Sequence, residues 1–440
     1  MDFTPWTVFV DLGLVSILLL LGQLLRARVG SIQKLFLPAN VLAGLGGLLL
    51  GPNGFALIPL SSSIAAYPGV LIALIFASLP FASREFTFKS SRGAAELWAY
   101  SSATMLLQWG LGMLFGLVVL GAVWPALYHG FGAILASGFV GGHGTAAAIG
   151  AAFAERGWHE AGSLAMTAAT VGILSSIAGG MIWIRWGAQN RSTHFVAPFN
   201  QLPQELRTGL IPQHKRTSLG QETVSPISID PLVFHLALIA AASVLGYFAG
   251  LWSAEFLGSY RLPTFCLAFL AAMLLKQFFR LSRTLHYVDH RTTTRLCGSL
   301  TDLLVAFGIA SIKIPVLIQY AYPLLALFSF GLILCWGLFR FLGPRTFRAI
   351  WFEKALYTWG WVTGIMAMAI ALLRIVDPEN DSNVLDDFAL AYLAIGPLEV
   401  VLITLAPVLI SQGHHWIFTA FTAGAGLLIL AVSLRMNRSR

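Results

Sequence analysis

Apolar residues fall in long runs along this chain, near 7–25, 35–52, 66–82, 96–122, 162–187, 231–251, 262–279, 298–314, 320–341, 388–411 and 414–434. Most hold about 18 residues or more, and a helix rising about 1.5 Å per residue then crosses about 30 Å of hydrocarbon. The pattern predicts an all-α integral membrane protein. Two further apolar stretches, 131–154 and 354–374, are less regular and carry glycine near their middles. The stretch 188–229 is rich in Asn, Gln, Ser, Thr, Pro and His, lacks a helical period, and reads as a linker.

Composition agrees. Hydrophobic residues make up 57% of the chain and charged residues 10%, where a soluble domain carries about 25% charged. The net charge of +8 does not point to nucleic acid, because the basic residues sit in short loops and act as topology signals. Cys266, Cys297 and Cys335 form no C-x-x-C pair, so neither a disulfide framework nor a metal site follows. Arg26 and Arg28 come after the first apolar run rather than before it, which marks a retained first helix and not a signal peptide.

The positive charges also order the crossings. If 131–154 and 354–374 enter the membrane and return to the same side, one side collects Arg26, Arg28, Lys34, Arg84, Lys89, Arg92, Arg191, Arg207, Lys215 and Arg216. Arg280, Arg283, Arg291, Arg295, Arg340, Arg345, Arg348, Arg435, Arg438 and Arg440 join them, and Arg156 and Arg261 face the other side. This predicts an N-terminus outside, a cytoplasmic C-terminus and two re-entrant hairpins.

The halves repeat. Leu37-Pro38 and Leu262-Pro263 each open an apolar run, and Gly144 and Gly364 lie at corresponding places in the two hairpins. Each half holds five crossings and one hairpin. An odd number of crossings inverts the second half relative to the first, an architecture of many secondary transporters. The expected parts are a first repeat at 1–187, a cytoplasmic linker at 188–229, a second repeat at 230–411, and an extra helix with a basic tail at 412–440.

The most informative string is Ser137-Gly138-Phe139-Val140-Gly141-Gly142-His143-Gly144-Thr145-Ala146-Ala147-Ala148. Each glycine costs a helix about 1 kcal/mol relative to alanine. The string fits a tight hairpin tip whose free N–H groups favour a carboxylate and whose freed oxygens suit sodium. It equally fits a glycine-lined helix contact. His143 fits either a ligand or a buried hydrogen-bonding residue.

Here a resemblance appears. Gly141 to Ala148, Ala169-Thr170-Val171-Gly172, Gly179-Gly180, the two Leu-Pro pairs, Leu262-Pro263-Thr264-Phe265 and Gly298-Ser299-Leu300 before a segment ending in Lys313 resemble the sodium/glutamate symporter family in order, up to about residue 411. The resemblance implies sodium-coupled carriage of dicarboxylic amino acids, hairpins that meet near the membrane centre, elevator-like movement and a homodimer. The second hairpin departs from the family. Where members show a pattern like G-F-G-L-G-A-T-P-T-A-I-A, this chain has Gly360 to Ala371 with Met366-Ala367-Met368 in place of T-P-T. The loss of two hydroxyls predicts weaker sodium binding, with Thr363 left to compensate in part.

Substrate-binding candidates are therefore Ser137, Gly141, Gly142, His143, Gly144, Thr145, Thr363 and Gly364. Charged groups in apolar runs usually have a partner or a task. Glu399, with Arg374 as an alternative ion-pair partner, is the first choice for a cation-coupling carboxylate. Thr170, Thr301 and Asp302 are the other candidates, and Asp302 also fits a helix cap. Asp11 is expected at a shallow depth. The function expected is secondary active symport of glutamate or a related anionic amino acid or carboxylate. The expected partners are that small molecule and the plasma-membrane bilayer, with a sodium ion for coupling, no cofactor, no further metal and no enzymatic step. The altered second hairpin also fits a sensor or scaffold that binds without transporting. A membrane hydrolase built on His143 would need convergent metal ligands, and there is no H-E-x-x-H motif.

Overall fold

The apolar runs form helices throughout the computed structural model, which describes residues 4–34, 37–82, 92–190, 192–193, 208–256, 264–347, 349–377 and 381–438. Arg84, Lys89, Arg191, Arg207, Arg261, Leu262-Pro263, Arg348 and Arg440 lie outside the described residues. In chain order the main helices are α1 (Pro5–Arg28), α2 (Ala39–Leu50), α3 (Tyr67–Ala82), α4 (Arg92–Phe115), α5 (Ala133–Phe139), α6 (Gly142–Ala154) and α7 (Ala161–Gln189). There follow α8 (Pro231–Phe256), α9 (Thr264–Leu281), α10 (His290–Ala310), α11 (Ala321–Gly337), α12 (Trp351–Thr363), α13 (Met366–Val376), α14 (Val384–Ser411) and α15 (His415–Arg438). Among the described residues, nine helical spans are long and apolar enough to cross a membrane.

Two of the apolar runs fall short of that measure. Helix α2 has 12 residues, about 18 Å of rise. Helix α10 begins with His290, Arg291, Thr292, Thr293, Thr294 and Arg295, so its first turns are polar. It starts well before 298 because Asp289 caps it, accepting from the Thr292 N–H at 2.9 Å and the Thr292 hydroxyl at 2.8 Å. Asp302 is therefore no cap. It lies inside α10 and accepts from Asn40 Nδ2 at 2.7 Å.

The order of elements in the first half recurs in the second. Helices α1 and α8 both begin with proline behind a capping side chain. Thr4 accepts from the Thr7 N–H at 3.3 Å, and Asp230 from the Leu232 N–H at 2.8 Å. Two more helices follow in each half. Then α4 and α11 each run into a π turn, Gly116–Leu120 and Leu338–Leu342. Next come the broken pairs α5–α6 and α12–α13, and then the long helices α7 and α14. Helix α15 has no counterpart. It lies along α4, with Trp109 and Phe418 edge to face at 5.9 Å.

The chain forms two compact units. The first comprises Met1–Gly22, Ala39–Thr87 and Ile211–Ser311. In it α10 packs on α2 and α3, and α9 on α3 and α8. Asp11 is buried in this unit, and accepts from the Ser61 N–H at 2.8 Å, the Ser61 hydroxyl and the Tyr67 hydroxyl at 2.8 Å. The second unit comprises Gln23–Pro38, Phe88–Leu210 and Ile312–Arg440. There α7 packs against both broken pairs. Its glycines permit the approach: a β-carbon on Gly172 would lie 2.5 Å from the Thr363 carbonyl oxygen, and one on Gly179 would lie 2.3 Å from the Trp359 ring.

Candidate functional site

Both broken pairs are helix–turn–helix structures, and glycine makes the first break. Val140 is extended, and Gly141 and Gly142 take φ of 80° and 62°, a region that side chains with a β-carbon disfavour. The second break falls at Gly364-Ile365, with Ile365 extended at φ −142° and ψ 163°. The two breaks touch. A β-carbon on Gly142 would stand 2.3 Å from Ile365 Cγ2 and 3.4 Å from the Gly364 carbonyl oxygen. The glycine string forms both structures that it fits: the helix break at Gly141-Gly142, and a close helix contact where Gly138 packs against Ala168 of α7.

Helices α6 and α13 both start at these breaks, and neither has a side-chain cap. Their first N–H groups and the positive ends of their dipoles are thus brought together, a setting that favours an anion. Neither tip carries Lys or Arg; the nearest charges along α12 and α13 are Glu353, Lys354 and Arg374 at the far ends. The N-terminus of α6 also has room. A β-carbon on Gly144 would meet nothing within 4 Å.

The hydroxyls named from the sequence divide sharply. Ser137 donates to the Ile134 carbonyl at 2.9 Å, Thr170 to Met166 at 3.0 Å and Thr363 to Trp359 at 2.6 Å. Thr301, in the first unit, donates to Cys297 at 2.8 Å. All four bond within their own helices, as Ser and Thr in membrane helices commonly do. Thr145 instead reaches another element and donates to Glu399 Oε1 at 3.4 Å. Glu399, buried on α14, also accepts from the Tyr392 hydroxyl at 2.9 Å. Its partners are these two hydroxyls, not Arg374. The carboxylate lies against the first break, since a β-carbon on Gly141 would be 2.6 Å from Oε1.

His143 is buried at 1% exposure. Its Nε2 lies 3.1 Å from Thr170 Oγ1. The Thr170 proton goes to Met166, so the imidazole donates from Nε2 and keeps a lone pair on Nδ1. That nitrogen is buried with no hydrogen-bond partner among the described residues. The structure thus gathers Gly141, Gly142, His143, Gly144, Thr145, Gly364 and Glu399 around the two breaks. Thr170 borders this set through His143 and Thr363 directly precedes Gly364, although their hydroxyls donate within their own helices; Ser137 lies one turn before Gly141, and Thr301 and Asp302 belong to the first unit.

Several polar residues of this unit were not read from the sequence. Tyr392 precedes Glu399 by seven positions, two helical turns on the same face, and that spacing was the available signal. Glu96 and Lys354 looked like the edges of apolar runs. They are inside helices and paired at 3.0 Å, with side chains 12% and 8% exposed. Above them Ser101 and Thr358 hydroxyls lie 3.1 Å apart, and Gln108 Nε2 donates to the Val362 carbonyl at 2.8 Å. This polar seam ties α12 to α4 up to the second break. Among the described residues, no group of three His, Cys, Asp or Glu is placed to hold a metal ion.

Comparison with individual characterised proteins gave no match. The sodium/glutamate symporter family matches residues 7–345. The match takes in the first broken pair and α7 and ends before α12, short of the residue 411 reached by the motifs, so Met366-Ala367-Met368 and Glu399 lie beyond it. With more than half of its length matched and nine membrane-length helices among the described residues, this chain is a multi-pass membrane protein that belongs to the sodium/glutamate symporter family.

Proposed function

We propose that the protein is a secondary active transporter that moves glutamate or a related anionic amino acid or carboxylate together with sodium. The observation that carries this reading is the meeting of two uncapped helix N-termini, α6 and α13, at Gly142 and Ile365. Such a place holds an anion without a basic side chain. The family supplies sodium as the coupling ion.

The broken pairs are re-entrant hairpins in this reading. Their longest arms, α6 and α12, have 13 residues, about 20 Å of rise and too little to span alone. The recurring order of elements supports two inverted repeats, at 1–187 and 230–411, joined by a cytoplasmic linker at 188–229. In this reading the N-terminus lies outside and the C-terminus inside a plasma membrane, as the distribution of positive charge supports. Alternating access proceeds by elevator-like movement, without covalent chemistry. The homodimer implied by the resemblance belongs to the same reading.

The test is uptake by purified protein in proteoliposomes. Labelled L-glutamate, L-aspartate and simple dicarboxylates are offered with sodium and proton gradients imposed separately. Sodium-stimulated uptake of at least one of them is expected. Binding of these compounds without uptake under any gradient would instead mark a non-transporting sensor.

A further inference from the structure

The buried carboxylates of this chain differ in what their partners are able to do. Asp11 accepts a backbone N–H from Ser61. Asp377 accepts the N–H groups of Asp381 at 2.9 Å and Ser382 at 3.0 Å. Glu96 faces the Lys354 ammonium. Each therefore has at least one partner that only donates. Glu399 is built otherwise. Its two partners, the hydroxyls of Tyr392 and Thr145, both donate and accept. A carboxylate there takes a hydrogen bond from each. A carboxylic acid there gives its proton to one and still accepts from the other.

The surroundings add to this contrast. An ionised carboxylate inside a membrane protein is costly without a cation, a proton or a set of donors. Around Glu399 the titratable group on α6 is His143, whose ring bonds Thr170. From α12 the nearest is Tyr357, which packs on Phe388 two turns and more before Glu399. On α14 itself it is Tyr392. Helices α4 and α15 also pack against α14, and among the described residues neither gives Glu399 a hydrogen bond or an ion pair. Among the described residues no Lys or Arg is paired with Glu399, and it lies against Gly141 at the first break.

We infer that Glu399 binds and releases a proton in each transport cycle, so that a proton moves with the cargo in addition to the sodium ion. The inference rests on the transport reading above. The bond formed is O–H on the Glu399 carboxyl while the site faces the side of higher proton concentration. The same bond breaks when the site faces the other side, and the proton passes to water. Both charge states keep a hydrogen bond between the carboxyl group and each hydroxyl.

The experiment uses full-length protein in proteoliposomes, with sodium equal on both sides and the membrane potential clamped with potassium and valinomycin. Labelled L-glutamate is the probe, and an inward proton gradient is imposed. One proton per cargo molecule raises steady-state accumulation up to about tenfold for each unit of pH difference. Pyranine trapped inside reports acidification that depends on added L-glutamate. The Glu399→Gln variant is expected to lose both responses, so that its accumulation ratio is the same with and without the gradient. Wild-type accumulation that follows a sodium gradient but ignores the proton gradient overturns the inference and leaves the transport reading standing. So does a Glu399→Gln protein that still accumulates cargo under a proton gradient. If Glu399→Gln does not fold, the wild-type accumulation and pyranine traces decide alone. No movement of any labelled compound under any gradient removes the transport reading and this inference with it.

Discussion

Gly142 and Ile365, on the two broken helix pairs, are in contact at the two breaks, and a β-carbon on Gly142 would come within 2.3 Å of Ile365 Cγ2. Gly142 also holds φ at 62°. Alanine there meets a clash and a left-handed backbone at once. Gly142→Ala is expected to abolish uptake. Gly142→Ala with Ile365→Ala relieves the clash but not the backbone strain, and is expected to recover a minor part of the activity. Initial rates normalised to protein in the vesicle membrane check both.

Gly144 lies two residues on and behaves differently, because its β-position is open. Gly144→Cys, in a protein whose Cys266, Cys297 and Cys335 are replaced by serine or alanine, is expected to fold and to react with a small thiol reagent. Cargo that the protein transports should slow that reaction several-fold. A rate indifferent to every transported compound would move the cargo site away from the first break.

The Glu96–Lys354 pair carries a stability prediction. Breaking a buried ion pair by removing one partner costs about 3–5 kcal/mol, whereas replacing both with apolar residues costs far less. Lys354→Met alone should therefore lower the thermal midpoint in detergent clearly, and Lys354→Met with Glu96→Met should restore most of it. Equal losses in the single and double variants would show that the seam between α4 and α12 is held by other contacts.

Asp289 gives a pH dependence outside the membrane spans. Burial acts to raise its carboxyl, but hydrogen bonds from Thr292, the Gln221 N–H and the Arg291 N–H outweigh it and hold the group at about 2. The folded value is depressed, so the cap contributes fully above the usual carboxylate range of about 4 and is lost as pH falls through about 2. Asp289→Ala is expected to cost about 1 kcal/mol at neutral pH. The gap between wild type and variant should close on acidification, as read by thermal unfolding across a pH series.

The first break was legible because glycine has few uses inside a helix, and Gly141 and Gly142 take the positive φ that their presence suggested. The long helices were legible from hydropathy alone. Local pattern failed where partners are distant in sequence. Asp302 looked like a cap because the polar turns from His290 to Arg295 hid the true start at Asp289. Glu96 and Lys354 looked like run edges because a charge normally ends an apolar run, and each pairs with a residue 258 positions away. The hydroxyls were the hardest to rank. Ser137, Thr145, Thr170 and Thr363 are alike in sequence, and only tertiary structure shows that Thr145 donates to Glu399 while the others donate within their own helices and Thr170 also meets His143.

The central claim is that the two helix breaks form a transport site for an anionic cargo. The most direct measurement is concentrative uptake of labelled L-glutamate into proteoliposomes under an inward sodium gradient, followed by addition of a sodium ionophore. Accumulation above the external concentration and its collapse on adding the ionophore are expected, and neither in Gly142→Ala vesicles. Labelled L-glutamate that merely equilibrates, at a rate unchanged by sodium and unchanged by Gly142→Ala, would contradict it.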